Sequence, residues 1–447
     1  MNSSIEYLEY DSSNFYTKYN LVGKGILDRL SEILSHDFES SSFLIITDEK
    51  IWSHVSHYFT AFIENSNTVS IEMFPGVPMA YADSESVEKV ASVISSCNSI
   101  PIAVGSGTIN DIVKRAAYLS SKKYICIPTA PSVDGFSSTG AAITVDGFKT
   151  TLECLPPYYI VADKNIIENA PSELISAGYG DLIGKLTAGA DWIIADLLSI
   201  EKIDNIAWSL SQNAARRLFY QSEEIRSRNP NAIVELYKGL IDSGLSIQLY
   251  KNSRPASGTE HLISHTWEMI IHNNNDRIIF HGLQIALGTL ISAAMMNEIF
   301  SENSTFAEDI KNGRLINKDL LKYRLSIVDS IPLAAAARKR ILDTATSKTP
   351  NQRILEKRIE NIVVNWELLS HRIRNHLPPF REILSALHTV GCPTKLSHLN
   401  MKAEDIYMAI RIASLIRNRY TMLDLVSELG ILDLVIEAIL SYKYDII

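Results

Sequence analysis

Residues 101–119 read PIAVGSGTINDIVKRAAYL, an apolar run, a glycine-rich turn and then an amphipathic segment. This order predicts a buried strand that ends at Gly105 and a helix that begins near Thr108. Glycines at such a turn let backbone N–H groups approach a phosphate, and a helix N-terminus favours negative charge. The turn lacks the third glycine of the usual dinucleotide fingerprint, because Asn110 follows instead. A tight structural turn and a phosphate site are therefore both open interpretations.

The pattern around this turn repeats up to about residue 170. Strands are predicted at residues 42–47, 68–74, 101–104, 124–127 and 158–161, with helices at 50–63, 85–96 and 108–119 and a hairpin at 141–149. Strands that alternate with helices at this spacing predict a Rossmann-like parallel sheet. After residue 170 long segments of helical periodicity dominate. We therefore predict an α/β domain at residues 1–170, of the kind that often binds dinucleotides, and an all-α domain at residues 171–447.

The composition of the 447-residue chain excludes several function classes. Its formal net charge of −9 offers no general attraction for nucleic acid or anionic lipid. The first residues, MNSSIEYLEYDSS, are not a secretory signal, and no apolar run reaches the roughly 18–20 residues of a membrane span. The four widely separated cysteines form no metal motif or disulfide framework, so we expect a cytoplasmic protein.

A second loop with possible ligand contacts follows the strand at residues 124–127. It reads PTAPSVDGFSS over residues 128–138 and supplies small hydroxyl side chains and Asp134. Loops after the carboxyl ends of parallel strands bind ligands in such sheets. By itself the loop is more typical of a solvated turn rich in proline, glycine and serine than of a ligand site.

Two further segments carry possible metal ligands. In GYGDLIGK, Asp181 and Lys185 are one helical turn apart, which by itself is typical of a helix cap and a surface ion pair. In SRPASGTEHLISH, His261 and His265 share one helix face, and His281 follows in the short motif FHG. Histidines so placed suit one divalent metal, although some close spacing is expected by chance among 11 histidines.

Taken together, the segments resemble the sn-glycerol-1-phosphate dehydrogenases, within the iron-containing alcohol dehydrogenase and dehydroquinate synthase-like superfamily. The resemblance runs in order through GSGTIND, PTAPSVDGFSS, GYGDLIGKLTAGADW, SRPASGTEHLISH, FHG and IRNRYTMLD, and covers most of the chain from about residue 40. Each motif is moderately specific, and their shared order is the stronger signal. The first 40 residues and the segment 300–360 match no motif of the family.

The resemblance implies a set of site residues. A divalent metal (zinc, nickel or iron) would be held by Asp181, His261 and His281. Substrate would meet His265, the proposed proton donor, and Asp134. To these catalytic candidates we add Lys185 as a hypothesis of our own, because it lies one helical turn from Asp181. NAD or NADP would be bound by Asp48, Gly105, Ser106, Gly107, Thr108, Ile109, Thr129, Ser132 and Ser138, Asp48 being the weakest candidate.

The implied reaction is the reversible reduction of dihydroxyacetone phosphate to sn-glycerol-1-phosphate, a precursor for phospholipid biosynthesis, by a homo-oligomer. The positive charge of the Lys185 ammonium would attract the phosphate group of the triose. Arg254 is a second candidate for that contact, with a structural role as its alternative. Three other functions stay open: a polyol dehydrogenase on an unphosphorylated alcohol, a sugar-phosphate cyclase, and a relative that only binds nucleotide.

Overall fold

The computed structural model describes residues 6–7, 15–66, 68–271, 279–331, 333–441 and 443–446. These residues form two compact units. The first contains residues 1–145, 149–178 and 224–253, and the second contains residues 146–148, 179–223 and 254–447. The division thus falls at residue 178 rather than 170, and the first unit also takes in residues 224–253, which we had placed in the helical domain.

The first unit is built on a seven-stranded sheet in the order β1-β2-β9-β6-β5-β3-β4. The nine strands of the described residues are β1 (Glu6–Tyr7), β2 (Tyr19–Gly23), β3 (Phe43–Asp48), β4 (Val69–Phe74), β5 (Ile100–Gly105), β6 (Ile125–Pro128), β7 (Gly140–Val145), β8 (Phe148–Glu153) and β9 (Tyr159–Asp163). Of these, β7 and β8 form a separate two-stranded sheet. Strands β2, β9, β6, β5, β3 and β4 pair in parallel, and β1 is antiparallel to β2. The predicted parallel α/β sheet is confirmed.

The central strands are buried along nearly their whole length, which is typical of a parallel sheet covered on both faces. In β5 and β6, for example, Ile102, Val104, Ile125 and Ile127 are completely inaccessible to solvent. Because these strands are neighbours and run in the same direction, the turns that follow their carboxyl ends lie at the same edge of the sheet.

Helices make up the rest of the described structure. They are α1 (Leu30–Phe38), α2 (Glu49–Val55), α3 (Thr60–Asn65), α4 (Ser84–Cys97), α5 (Gly107–Leu119), α6 (Lys164–Glu168), α7 (Ser172–Leu197), α8 (Asn205–Phe219), α9 (Ser222–Arg226), α10 (Pro230–Tyr250), α11 (Thr259–Ile271), α12 (His281–Phe300), α13 (Ala307–Lys311), α14 (Leu320–Asp329), α15 (Ala335–Lys348), α16 (Gln352–His376), α17 (Phe380–Val390), α18 (Ala403–Ala413), α19 (Met422–Leu429) and α20 (Leu432–Ile439).

The local predictions are confirmed for the five predicted strands, for α4 and α5, and for the hairpin formed by β7 and β8. The single helix predicted at residues 50–63 is wrong, because a 3-10 turn at Ser56–Phe59 separates α2 from α3. Strand β2 was not predicted. It pairs in parallel with β9, with Tyr19 opposite Tyr159, and extends the sheet from the N-terminal region that carried no recognised motif.

The second unit is helical, as predicted, and α12 lies in its core. By length and composition alone α12 would be long and apolar enough to cross a membrane, but 94% of its most apolar window is buried inside the structure. It packs against α11, α16, α17 and α20. A helix that is apolar on every side is expected in the core of a large helical unit.

Candidate metal centre and nucleotide-binding loops

Asp181 lies in the middle of α7 and not at its start. The helix begins at Ser172, directly after Pro171, and runs for 26 residues. The interpretation of Asp181 as a helix cap is therefore wrong. Its carboxylate is completely buried in the second unit, and a buried charge of this kind needs close partners of opposite sign or a metal.

Three histidines lie close to one another within the second unit, and two of them, His261 and His281, lie close to this carboxylate. His261 and His265 are one turn apart on α11, and His281 is the first residue of α12. Their ring centroids are 5.4 Å apart for His261 and His281, and 5.6 Å apart for His265 and His281. Asp181, His261 and His281 each offer one ligand atom, and these atoms all lie within 4.8 Å of one another.

The glycine before Asp181 allows α12 to approach α7. A Cβ atom at Gly180 would lie 2.4 Å from the carbonyl oxygen of Gly282 and 2.8 Å from Cβ of Ala286. Any side chain here would therefore push away the first turn of α12, which carries His281. The GYGD motif thus places its carboxylate and also makes room for His281.

Lys185 occupies the next turn of α7 and is as fully buried as Asp181. Its Nζ atom lies 2.6 Å from Asp181 Oδ1, so the pair is a buried salt bridge and not the surface pair typical of this spacing. Burial opposes ionisation of Asp181, but the Lys185 ammonium and the His261 ring outweigh it and hold the pKa of the carboxyl below its usual value. Asp181 is therefore an anion, as a metal ligand must be.

Glu260 is a buried residue of the candidate site that we did not predict. Its Oε1 atom lies 2.8 Å from His261 Nδ1 and also accepts the backbone N–H of Gly258, while Oε2 accepts the hydroxyl of Thr187. The opposite ring nitrogen, His261 Nε2, lies 3.5 Å from Asp181 Oδ1. Burial and Lys185 lower the pKa of His261, but its hydrogen bonds to Asp181 and Glu260 raise it overall.

This arrangement fixes the orientation of the His261 ring. A carboxylate that accepts the N–H of one ring nitrogen leaves the other nitrogen free for a metal, which is a common supporting contact in metal sites. The signal was present in the sequence, since an acidic residue directly precedes the first histidine. Only the fold, however, shows that the carboxylate turns back onto that ring.

Arg254 has the structural role that was the alternative to phosphate binding. Its guanidinium is completely buried, and it donates to the backbone carbonyls of Tyr420 at 2.8 Å and Asp191 at 2.7 Å. It also lies 3.4 Å from Glu201. These contacts tie the loop before α11 to two other segments of the second unit.

The glycine-rich turn lies in the first unit, directly at the carboxyl end of β5. Ser106 is the N-cap residue of α5 by position, but its side chain makes no capping hydrogen bond. Gly107, Thr108 and Ile109 form the first turn of that helix. A Cβ atom at Gly107 would lie 2.9 Å from Val133 Cγ2, so a glycine is needed for the following loop to pass this closely.

Thr129 and Ser132 follow the neighbouring strand β6. The backbone N–H of Thr129 donates to the carbonyl of Gly105, which joins this loop to the glycine-rich turn. Ser132 is 3% exposed, and its hydroxyl has no hydrogen-bond partner in the described structure. Asp48 ends β3, where its carboxylate caps α2 through the N–H of Ile51 at 2.7 Å.

The remaining two candidates lie further along the same loop. Asp134 accepts a hydrogen bond of 2.9 Å from the hydroxyl of Ser243 on α10. Ser138 is buried and contacts Lys114 Nζ at 3.2 Å. That buried ammonium also binds the carbonyls of Gly135 and Gly140, so Lys114 shapes the loop. Nothing in the amphipathic pattern of α5 distinguished this lysine from an exposed one.

Helix α10 makes several of the contacts that hold this loop. Besides the Ser243 contact, the hydroxyl of Ser137 donates to the carbonyl of Ile241. These contacts explain why residues 224–253 belong to the first unit although they are helical. The structure therefore groups the nucleotide candidates with Asp134 in the first unit, and the metal-ligand candidates with His265 and Lys185 in the second.

Comparison with known proteins places these sites in a family context. The family model of the iron-containing alcohol dehydrogenases matches residues 21–171. The glycerol-1-phosphate dehydrogenase [NAD(P)+] of Bacillus licheniformis is 30% identical over 331 residues, which cover 74% of this chain and 68% of that protein. The enzyme of the same name from Halalkalibacterium halodurans is 36% identical over 235 residues, or 52% of this chain and 58% of that protein. The chain thus matches between about half and two-thirds of the length of these relatives.

The fold is shared with solved structures. An iron-containing alcohol dehydrogenase from Corynebacterium glutamicum is 16% identical and superposes with a TM-score of 0.59, over 95% of each chain. At this identity the likeness shows the fold alone, whereas the sequence match to the Bacillus licheniformis protein reaches further. The chain therefore belongs to the glycerol-1-phosphate dehydrogenase family of the iron-containing alcohol dehydrogenases.

Proposed function

We propose that this chain is a metal-dependent NAD(P)-linked dehydrogenase that interconverts dihydroxyacetone phosphate and sn-glycerol-1-phosphate. In the reductive direction the C2 carbon of the ketone gains a hydride from the reduced nicotinamide, and the C2 oxygen gains a proton. The balance is one NAD(P)H and one proton consumed for each ketone reduced. The observation that carries the proposal is the buried group of Asp181, His261 and His281 in a chain of this family.

The three residues fit a catalytic divalent metal. Two imidazoles and one carboxylate leave an open coordination position, which structural sites with four protein ligands lack. Asp181 is held as an anion, and His261 is oriented by Glu260 with Nε2 toward Asp181. When bound there, a divalent metal supplies a Lewis acid that polarises a ketone oxygen, which commonly lowers a barrier by several kcal/mol.

The other residues of the second unit would handle the proton. His265 lies one turn after His261 on α11 and is 5% exposed. We assign to its imidazole the delivery of the proton to the oxygen that becomes the C2 hydroxyl. Imidazole suits this task because its pKa is close to neutral pH. Asp134 in the first unit is proposed to accept a hydrogen bond from a substrate hydroxyl.

The glycine-rich turn and the loop after β6 are proposed to bind the dinucleotide. The uncapped first turn of α5 offers backbone N–H groups to a pyrophosphate. The hydroxyl of Ser132 supports the assignment because it is a buried polar atom without a protein partner, and such atoms are rare. Ser138 and Asp48 remain weaker proposals, since both side chains already serve the local structure.

Lys185 is proposed to contact the substrate phosphate, although its ammonium now lies on Asp181. A metal bound to Asp181 would repel the ammonium and favour its turning toward an anion. If Lys185 contacts the phosphate, Lys185→Ala lowers kcat/KM for dihydroxyacetone phosphate far more than for free dihydroxyacetone. An equal loss on both ketones would show that Lys185 acts through Asp181 alone.

The direct test is NAD(P)H oxidation by metal-loaded protein with dihydroxyacetone phosphate and free dihydroxyacetone side by side. The proposal predicts a large preference for the phosphate ester and one coenzyme oxidised per product formed. A preference for the free ketone would point to a polyol dehydrogenase. Product formation without net coenzyme oxidation would point to a sugar-phosphate cyclase, and coenzyme binding without turnover to a relative that only binds nucleotide.

Three finer points belong to the same proposal. Two histidines and one carboxylate accept zinc, nickel or iron, so availability decides among them. The same assay with NADH and NADPH in parallel identifies the preferred coenzyme. We also propose a cytoplasmic homo-oligomer whose product supplies phospholipid biosynthesis, which size-exclusion chromatography and cell fractionation can test.

A further inference from the structure

The segment between α18 and α19 carries two arginines that the metal centre does not use. It contains the motif IRNRYT at residues 416–421, with Arg417 and Arg419. The segment is held at its C-terminal end, where the Tyr420 carbonyl accepts a hydrogen bond from Arg254 and the Thr421 side chain caps α19. Such anchoring holds nearby side chains in place before a ligand arrives.

Arg419 joins this segment to the entrance of the metal-binding helix α11. Its Nη1 atom donates to the carbonyl of Ser257, two residues before the helix begins. The carboxylate of Asp191 reinforces the junction, since it accepts the backbone N–H of Thr259 on one side and of Met422 on the other, both at 2.6 Å. The arginine segment is therefore fixed next to the helix of His261 and His265.

Positive charge is concentrated at this junction. Burial lowers the pKa of Arg417 to about 10. Burial also lowers the pKa of Arg419 to about 9, with the charges of Arg254 and Arg417 adding to the effect. Arginine stays protonated in proteins, and the acids Glu201 and Glu260 only partly offset the poor solvation of Arg419. A bound anion would stabilise these charges further. Both side chains are nevertheless partly exposed, which Arg254 is not.

Buried hydroxyls at the same junction lack partners. The hydroxyls of Ser257 and Thr259 are inaccessible to solvent and make no hydrogen bond in the described structure. Ser257 is the residue whose carbonyl holds Arg419. A hydroxyl donor on the residue that holds the Arg419 guanidinium, with the charge of Arg417 close enough to act on Arg419, suits phosphate, because arginine binds phosphate oxygens through two parallel hydrogen bonds.

We propose that Arg417, Arg419 and the Ser257 hydroxyl form the subsite for the phosphate group of the substrate. The inference rests on the proposed function, because it names the part of the second unit that would distinguish a phosphorylated triose from a free polyol. It adds to Lys185 a second group of positive charges, on the segment between α18 and α19. The ligand class is a phosphate monoester dianion, and inorganic phosphate is its simplest probe.

The test compares wild type with Arg417→Gln and Arg419→Gln as metal-loaded proteins. For each arginine removed, we expect KM for dihydroxyacetone phosphate to rise by roughly 10- to 100-fold, as for the loss of a charged hydrogen bond. The value of kcat/KM for free dihydroxyacetone should change by less than about 3-fold if the site binds phosphate alone. Inhibition by inorganic phosphate should weaken in parallel.

Control variants separate binding from folding. Arg372→Gln removes a half-buried arginine elsewhere in the second unit, where it pairs with Asp196, and should leave both ketones unaffected. If Arg419→Gln does not fold, Arg419→Lys keeps the charge and loses the two-pronged geometry, so a rise in KM for the phosphate ester is still expected. Variants that keep wild-type KM for the phosphate ester, or that lose activity equally on both ketones, would overturn the subsite.

Calorimetry with inorganic phosphate separates failure of the subsite from failure of the proposed function. Phosphate binding that is present in wild type and weakened in both variants supports the subsite even if wild type reduces neither ketone. In that case the proposed reaction fails and the anion site stands. Reduction of the phosphate ester with unchanged phosphate affinity in both variants would instead sustain the reaction and remove the subsite.

Discussion

The carboxylate of Glu260 lies 2.8 Å from Nδ1 of His261, the residue that follows it in the chain. Its other oxygen accepts the hydroxyl of Thr187 on α7, so the carboxylate connects two of the helices that carry the metal centre. The contact holds the His261 ring with Nε2 toward Asp181. The candidate metal centre is therefore supported by a buried acid that is not itself among the proposed ligands.

Replacement of this acid should weaken metal binding. We expect Glu260→Gln to raise the metal Kd by about 10- to 100-fold, as is typical for loss of a partner of a ligating histidine. The measurement is competition for the metal with a chromophoric chelator. Glu356→Gln makes the same change on the exposed side of α16 and serves as the control. An unchanged Kd in Glu260→Gln would contradict the supporting role.

Removal of Lys185 should destabilise the metal-free protein. Lys185→Met leaves the Asp181 carboxylate buried without its nearest cation, which typically costs about 3–5 kcal/mol. A saturating divalent metal should recover most of this loss, because it takes over as the countercharge. Thermal unfolding with and without metal measures both effects, with the exposed Lys202→Met as the control. If Lys185→Met lost the same stability with and without metal, the metal would not replace Lys185 as the countercharge of Asp181.

Gly180 should tolerate no side chain. In Gly180→Ala the new Cβ would lie 2.4 Å from the carbonyl oxygen of Gly282, so the start of α12 must shift and take His281 with it. We expect a loss of about 1–3 kcal/mol of stability, as for overpacked cores, together with weaker metal binding. Gly76→Ala is the matched control, since its nearest neighbour would be 3.4 Å away. Wild-type metal affinity in Gly180→Ala would show that α12 adjusts without moving the ligand.

His376 should make the second unit sensitive to acid. Burial and the neighbouring Arg216 lower the pKa of His376 to about 3. Its Nε2 donates to the carbonyl of Leu186, and Nδ1 accepts from Arg216 at 2.6 Å, so the folded state requires the neutral ring. The unfolded chain takes up a proton below about pH 6.5 while the folded protein does not. The contribution of His376 is therefore fully present above that pH and is lost as the pH falls, by about 1.4 kcal/mol per pH unit.

The variant His376→Gln has no ring to titrate. Its Tm should accordingly fall less steeply than that of wild type between pH 6.5 and pH 4.5. The measurement is thermal unfolding of both proteins across this range in one series of buffers. Parallel curves for the two proteins would contradict the assignment of a neutral, buried His376.

The sequence predicted the candidate ligand loops correctly where they follow directly after a strand with a clear apolar pattern. The carboxyl ends of β5 and β6 carry the predicted glycine-rich turn and hydroxyl loop, because apolar strands and helix starts leave clear local signals. The metal-ligand candidates Asp181, His261 and His281 were found only through the resemblance, and the structure brings them together. Their grouping depends on how α7, α11 and α12 pack, which no local pattern contains.

Other features escaped prediction for identifiable reasons. Helix α7 runs unbroken through GYGDLIG, although glycine is a weak helix former. A glycine stands at position 180 because a side chain there would collide with the start of α12. The buried cations Lys114 and Lys185 have the spacing of surface residues, and only tertiary packing shows that they are enclosed. Strand β2 is short, and the parallel pairing with β9 that stabilises it spans more than a hundred residues of chain.

The most direct test of the central claim is a metal titration of the metal-free protein, followed by NAD(P)H oxidation with dihydroxyacetone phosphate. Wild type should gain activity in proportion to one bound zinc, nickel or iron ion per chain. His261→Ala should stay inactive at every metal concentration, while His388→Ala, a histidine on α17, should behave as wild type. Activity of the metal-free wild type, or its recovery in His261→Ala, would contradict a reaction that depends on the site of Asp181, His261 and His281.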